Sequence, residues 1–335
     1  MRITSQSPCR VDLAGGTLDI WPLYLHHVNA VTVNFAIDLY TSCSIVPRDD
    51  GQIVLRSGDL GIDETFASLN EMKAARKYKL PLLAYAVGFF SPETGLELDS
   101  HSEAPAGGGV SGSSSLLITI CAAFNKWLNA GYSIEKLREL AQNIEAQIIR
   151  VPTGCQDYYP AMYGGISAIE LRADGIRRVA IPLDPADLEM RTVLAYTGEP
   201  RNSGINNWEV TKLHIDGDRK VHTNFDRIAS IAHDMRVSLE KADWLETARL
   251  LREEWIFRKK NAPGITTELI DNLVAKTKRS GAVGAKVCGA GGGGCVFFLV
   301  EPGAKEKVSA VIEREGAQVL PVKVALGGVK VKIAR

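Results

Sequence analysis

Between Pro105 and Ser115 the chain reads Pro-Ala-Gly-Gly-Gly-Val-Ser-Gly-Ser-Ser-Ser and runs without a break into an apolar helical pattern. Backbone N–H groups in such a run can converge on an anion at the helix N-terminus, which makes a phosphate cradle. Gly107, Gly108, Gly109 and Gly112 suit that role because the chain must come close to the phosphate oxygens and take up positive φ. Ser111, Ser113, Ser114 and Ser115 bring hydroxyls to the helix start, where one can ligate Mg²⁺. No Lys-Ser or Lys-Thr follows the glycines, so the Walker A pattern is absent. A solvated linker fits the composition but not the immediate onset of an apolar helix.

A second run, from Cys288 to Cys295, formally contains G-x-G-x-x-G. The dinucleotide fingerprint needs a strand before the glycines, a helix after them and an acidic residue ~20 positions on. Here Val296-Phe297-Phe298-Leu299-Val300 follows and reads as a strand, so the dehydrogenase reading fails. Two distant glycine loops, one opening a helix and one feeding a strand, can instead close over one ligand from two domains. Gly289, Gly291 and Gly292 would then cover the ligand of Gly107–Ser115.

Glu145 is flanked by Ala141, Ile144 and Ile148 at helical spacing, which places a carboxylate near a buried face. Such a group needs a partner, and a metal supplies one. The stretch from Thr197 to Gly204, which includes Arg201, reads equally as an ordinary turn or as a loop facing a cleft. The pair His26-His27 is read as structural, because adjacent side chains diverge and no further His or Cys lies at ligand spacing. The six cysteines form no C-x-x-C pair and are expected to be reduced, small apolar residues.

The elements that must position these groups follow from periodicity. Strands are expected at Ile3–Leu13, Ala30–Tyr40, Ser42–Val46 and Gln52–Arg56, and a returning strand at Gly164–Glu170. Helical spacing covers Asn70–Phe90, Ser114–Leu128 and, from the N-cap Ser133, the segment to about Arg150. Beyond an opening strand at Arg191–Tyr196, helices are expected at Phe225–Lys241, Trp244–Lys260 and Thr266–Arg279. A glycine-rich strand pair at Ala285–Val300, another helix and a final strand complete the pattern. The class is α+β, with domains at 1–188 and 189–335.

With 335 residues, two domains or one domain with a cleft are expected. Lys plus Arg balance Asp plus Glu at 39 each, and no run of basic residues appears, so nucleic acid and anionic membranes are not expected partners. No stretch reaches the ~18 apolar residues of a membrane span and no apolar leader is present, which predicts a cytoplasmic protein.

Three segments, Arg10–Asp19, Pro105–Ser115 and Gly284–Val296, resemble in order the three motifs of the GHMP kinase superfamily. Ala14-Gly15-Gly16 in the first, together with Gly154-Cys155-Gln156-Asp157 and Met162-Tyr163-Gly164-Gly165, is most similar to the bacterial D-glycero-D-manno-heptose 7-phosphate kinase and galactokinase-like branch. Two departures stand out: Ser111-Gly112 where Leu-Gly or Gly-Gly is usual, and Thr17-Leu18-Asp19 where the heptose branch has Gly-Thr-Asp.

The resemblance implies an N-terminal domain like domain 2 of ribosomal protein S5 and a ferredoxin-like C-terminal domain, with the active site between them. It implies ATP and Mg²⁺, with a sugar or sugar phosphate as partner. By the same resemblance Asp157 is the catalytic base with Arg10 beside it, and Ser114 and Glu145 hold the metal. Asp19 and Thr17 belong to the sugar site, where Trp21 and Tyr24 are candidates to pack on the ring. A phosphate already on the sugar would meet Arg201 or Lys212. The galactokinase-like set of Arg10, Asp19 and Asp157 further implies that an anomeric C1-OH is phosphorylated. A free-sugar kinase, a mevalonate- or homoserine-type kinase and a non-catalytic sensor are the alternatives.

Overall fold

The computed structural model describes residues 1–199 and 204–334. Apolar alternation from Ile3 onward becomes β1 (Arg2–Ala14), and the two strands expected after it are one long strand, β2 (Val31–Arg48). Then come β3 (Ile53–Ser57), β4 (Ile62–Phe66), α1 (Leu69–Ala74), α2 (Pro81–Phe90) and β5 (Gly95–Ser102). The helix expected over Asn70–Phe90 is thus broken in two. Pro81 forces the residue before it out of the helical region, and Leu80 has ψ 69°.

The helix that the first glycine run opens is α3 (Gly112–Trp127), followed by α4 (Ile134–Ile149), α5 (Tyr158–Tyr163), β6 (Ile166–Arg172) and β7 (Gly175–Ala180). Ser133 caps α4 as expected, its hydroxyl accepting from the Lys136 N–H at 3.2 Å. Leu116, Leu117, Ile118, Ile120 and Phe124 of α3 are all buried, so this helix is the core element against the sheet.

The second half runs α6 (Pro185–Met190), β8 (Thr192–Tyr196), α7 (Gly204–Ile215), α8 (Arg219–Glu240), α9 (Trp244–Arg258), α10 (Glu268–Thr277), β9 (Ala282–Val287), β10 (Cys295–Val300), α11 (Lys305–Arg314), β11 (Gln318–Leu320) and β12 (Lys330–Ala334). The helix α7 carries little amphipathic signal and was not expected.

One sheet has the order β12-β1-β2-β5-β3-β4, with β6 on β2 and β7 on β6; the other is antiparallel, β11-β8-β10-β9. The last strand departs from the expected division, because β12 pairs with β1, Arg2 opposite Ala334, rather than with the C-terminal sheet. Residues 189–335 therefore do not stay together: the chain end returns to the N-terminal sheet. A shared core joins the units, with Val11, Val33 and Phe35 packed with Phe297 and Leu299 of β10 and Met235 and Leu239 of α8. Among the described residues no helix is long and apolar enough to cross a membrane.

Candidate active site

Arg10 lies on β1 between two register shifts, at Pro8/Cys9 and Asp12/Ala14, and such bulges re-aim side chains. The residue is 1% exposed. Nε and Nη2 donate to one oxygen, Asp157 Oδ1, at 3.0 and 2.6 Å, and Nη1 donates to the Gly109 carbonyl at 2.5 Å. Burial alone would lower the Arg10 pKa, but Asp157 and Asp12 outweigh it, so the group stays charged. Asp157 stands at the N-cap of α5 with its side chain 26% exposed, facing the cleft.

Asp12, two residues along the strand from Arg10, shares its face. Its carboxylate takes the Lys286 ammonium and, at 2.8 Å, the Gly289 N–H. Burial raises its pKa, yet Lys286, Arg10 and Arg258 overcome that and hold it below the usual carboxylate range. The first motif is thereby tied to the second glycine loop. The two glycine loops also touch directly, the Cys295 N–H donating to the Gly108 carbonyl at 2.7 Å. A Cβ on Gly294 would lie 2.7 Å from that same oxygen, so the approach requires glycine.

Arg258 ends α9 and donates to the Gly16 carbonyl, to Thr17 Oγ1 at 2.6 Å and to the Gly289 carbonyl at 2.9 Å. Asp12 lies in the first motif segment and Lys286 in the third, but neither was given a role from the sequence, and Arg258 lies outside all three segments. A usable signal did exist for Lys286, a lone charge inside the apolar strand Ala282–Val287, since Lys is seldom fully buried unpaired.

Asp19 is 3% exposed and accepts from the Gln156 N–H at 2.8 Å. Gly154 passes so close that a Cβ there would overlap the Asp19 carboxylate. Burial, then the neighbouring Asp157, push the Asp19 pKa up to about 6. Glu145 accepts from Ser113 Oγ at 2.5 Å, Ser114 Oγ at 2.9 Å and the Tyr158 hydroxyl. Burial raises its pKa and those three donors oppose the rise.

These groups line one cleft of about 460 Å³. Pro105, Gly107, Gly108, Gly109, Ser111, Gly112, Ser113, Ser114, Glu145, Thr17, Asp19, Asp157, Arg10 and Gly289 all border it, with Arg258 and Gln156 added by the fold. Leu60, Leu82, Leu116 and Ile148 supply an apolar wall.

Other expected residues fall elsewhere. Ser115 Oγ is buried 3.0 Å from the Pro8 carbonyl and 2.8 Å from Thr41 Oγ1, so it ties α3 to β1 and β2 and does not border the cleft. Gly291 and Gly292 fold against Ile265, the Gly292 N–H donating to its carbonyl at 2.8 Å, and are not among the cleft residues. Trp21 is 68% exposed and Tyr24 packs in the core, neither bordering the cleft. Arg201 lies outside the described residues.

Residues 72–165 match the GHMP kinases N terminal domain and residues 235–318 the GHMP kinases C terminal domain, together more than half of the chain. The D-glycero-alpha-D-manno-heptose 7-phosphate kinase of Campylobacter jejuni is 29% identical over 337 residues, covering 98% of each chain. Among solved structures, a D-glycero-D-manno-heptose 1-phosphate kinase from Bacteroides thetaiotaomicron superposes with TM-score 0.79 at 24% identity, covering 99% of both chains. Galactokinase from Lactococcus lactis, complexed with galactose, reaches TM-score 0.81 at 20% identity, over 98% of this chain and 95% of that one. At these identities the two structural likenesses establish the fold.

Proposed function

Because the chain belongs to the GHMP kinase family, whose members are ATP-dependent phosphotransferases with an alcohol acceptor, we propose that its acceptor is the anomeric C1-OH of a heptose 7-phosphate or a closely related sugar. The observation that carries this reading is the meeting of Asp19, Asp157 and Arg10 with the phosphate loop in one cleft. The C1 oxygen attacks the γ-phosphorus, the bond from that phosphorus to the β–γ bridging oxygen breaks, ADP leaves, and the hydroxyl proton passes to Asp157.

Both Arg10 hydrogen bonds to Asp157 fall on Oδ1, which leaves Oδ2 to accept that proton. The guanidinium fixes the orientation of that carboxylate. An anomeric hydroxyl is the most acidic of a sugar's hydroxyls and suits so weak a base. Asp19 accepts hydrogen bonds from the other hydroxyls of the ring. N–H groups of Gly107–Ser114 receive the phosphates, and the apolar wall at Leu60, Leu82, Leu116 and Ile148 suits a nucleobase.

Glu145, Ser113 and Ser114 gather oxygen donors beside that loop, a set suited to Mg²⁺. When bound, Mg²⁺ would neutralise charge on the transferring phosphates. A 7-phosphate needs a cation, and Arg201 and Lys212 are the candidates to supply it.

The test is a coupled ADP-release assay against heptose 7-phosphate, galactose, fucose and mevalonate, followed by ³¹P–¹H NMR of the product. Coupling of the new phosphate to H1 is expected. Coupling to any other proton, or turnover of mevalonate alone, overturns the proposal.

A further inference from the structure

Four of the chain's six histidines meet where the N-terminal unit touches α7 and α8. His27 follows the short turn Leu23–His26, His214 lies on α7 and His222 in the first turn of α8. A ring nitrogen of each of these three lies within 4.8 Å of the others, and none of them borders the kinase cleft. Sequence spacing had offered His27 no partner, because the other two stand almost two hundred positions away.

The hydrogen bonds around the cluster orient the rings as metal ligands are oriented. His27 Nδ1 sits 2.7 Å from Asp226 Oδ1, which holds the proton on Nδ1 and turns the Nε2 lone pair toward His214, 2.8 Å away. His222 Nε2 sits 2.8 Å from the His214 carbonyl oxygen, so it carries the proton and Nδ1 is left bare. His214 Nδ1 is buried with no hydrogen-bond partner. As neutral rings the three imidazoles turn lone pairs into the space between them, with too few donors to satisfy all of them. A cation supplies what is missing.

We propose that His27, His214 and His222 form a binding site for a divalent transition metal of the zinc class, which staples the Leu23–His26 turn to α7 and α8. Three imidazoles select such an ion over Mg²⁺, which prefers oxygen ligands. Zinc–nitrogen bonds of about 2.0–2.1 Å place tetrahedral nitrogens about 3.3 Å apart, so His27 and His214, 2.8 Å apart, need to separate by about 0.5 Å, and the pairs with His222, within 4.8 Å, to close by at most about 1.5 Å. The fourth position is left for water or for the neighbouring His26. All six cysteines are buried and do not compete for the ion.

The test uses the tag-free full chain, stripped with chelator and kept in excess Mg²⁺ so that the oxygen site is filled. Calorimetric titration with Zn²⁺ should show one equivalent bound at micromolar affinity or tighter. Co²⁺ should develop the visible absorption of a four-coordinate ion, and Zn²⁺ should raise the thermal midpoint. Asp226, whose side chain is 65% exposed, can be changed without disturbing the core, and Asp226→Asn should weaken Zn²⁺ by roughly 10- to 100-fold. His222→Gln, at a half-buried position, should abolish the Co²⁺ spectrum while the protein keeps its circular dichroism. The proposal is overturned if the wild-type chain takes up no Zn²⁺ at micromolar concentration, or if folded His222→Gln and Asp226→Asn proteins bind it as tightly as wild type.

Discussion

Arg258 Nη1 donates to Thr17 Oγ1 at 2.6 Å across the seam between the C-terminal helices and the first motif. Thr17 has φ 73°, a conformation that β-branched residues rarely adopt, and both residues border the cleft. The arginine holds the Gly16–Thr17 backbone and Gly289 together, so it positions the part of the cleft proposed to take the sugar. Arg258→Met should raise the sugar KM more than the ATP KM, and Arg258→Lys should recover little because one ammonium cannot reach three acceptors in a plane. Equal effects on both substrates in steady-state kinetics would show that the arginine serves general packing instead.

Asp157 and Arg10 separate basicity from charge. Asp157→Asn keeps the shape and removes the proton acceptor, so kcat should fall by roughly 10²-fold or more with substrate affinities nearly intact. Arg10→Ala leaves Asp12 and Asp157 without their shared cation and should be as damaging, while Arg10→Lys should keep part of the rate. Single-turnover measurements distinguish this from slowed product release.

Asp19 should make sugar affinity depend on pH. Its pKa is raised to about 6, so it is ionised above that value and accepts hydrogen bonds from the sugar, whereas below it the carboxyl is protonated and loses acceptors. The sugar KM is expected to rise as pH falls through about 6, with the ATP KM unaffected. Asp19→Asn should bind sugar weakly at every pH and flatten that profile.

The serines divide by what their hydroxyls touch. Ser114→Ala removes a donor to Glu145, and its activity should drop and recover in part at high Mg²⁺. Ser115→Ala cuts the tie to Pro8 and Thr41 and should cost about 1 kcal/mol of stability in denaturant unfolding, with metal dependence unchanged.

The sequence alone determined the parts whose signal is local. Glycines opening an apolar helix, Ser133 capping the next one and the alternation from Ile3 are one-dimensional patterns, and each became the expected element because neighbouring residues decide it. Motif resemblance likewise marked Arg10, Asp157, Ser114 and Glu145, which the fold brings together. Tertiary structure decided whatever depends on pairing distant segments. The serine at 115 differs from that at 114 only by the direction its hydroxyl takes on α3, a matter of 100° of helix rotation per residue. Gly291 and Gly292 share a glycine run with Gly289 but turn toward Ile265. Lys286 and Arg258 reach the site because β9 and α9 pack behind the first motif, with Arg258 and Thr17 standing 241 positions apart. The histidine cluster exists because α7 and α8 fold onto the turn at Leu23–His26, and β12 joins β1 because an edge strand pairs with whatever chain the fold delivers to it. Chain distance hides such contacts, since the burial and hydrogen bonding that reward them arise only when the two ends are already together.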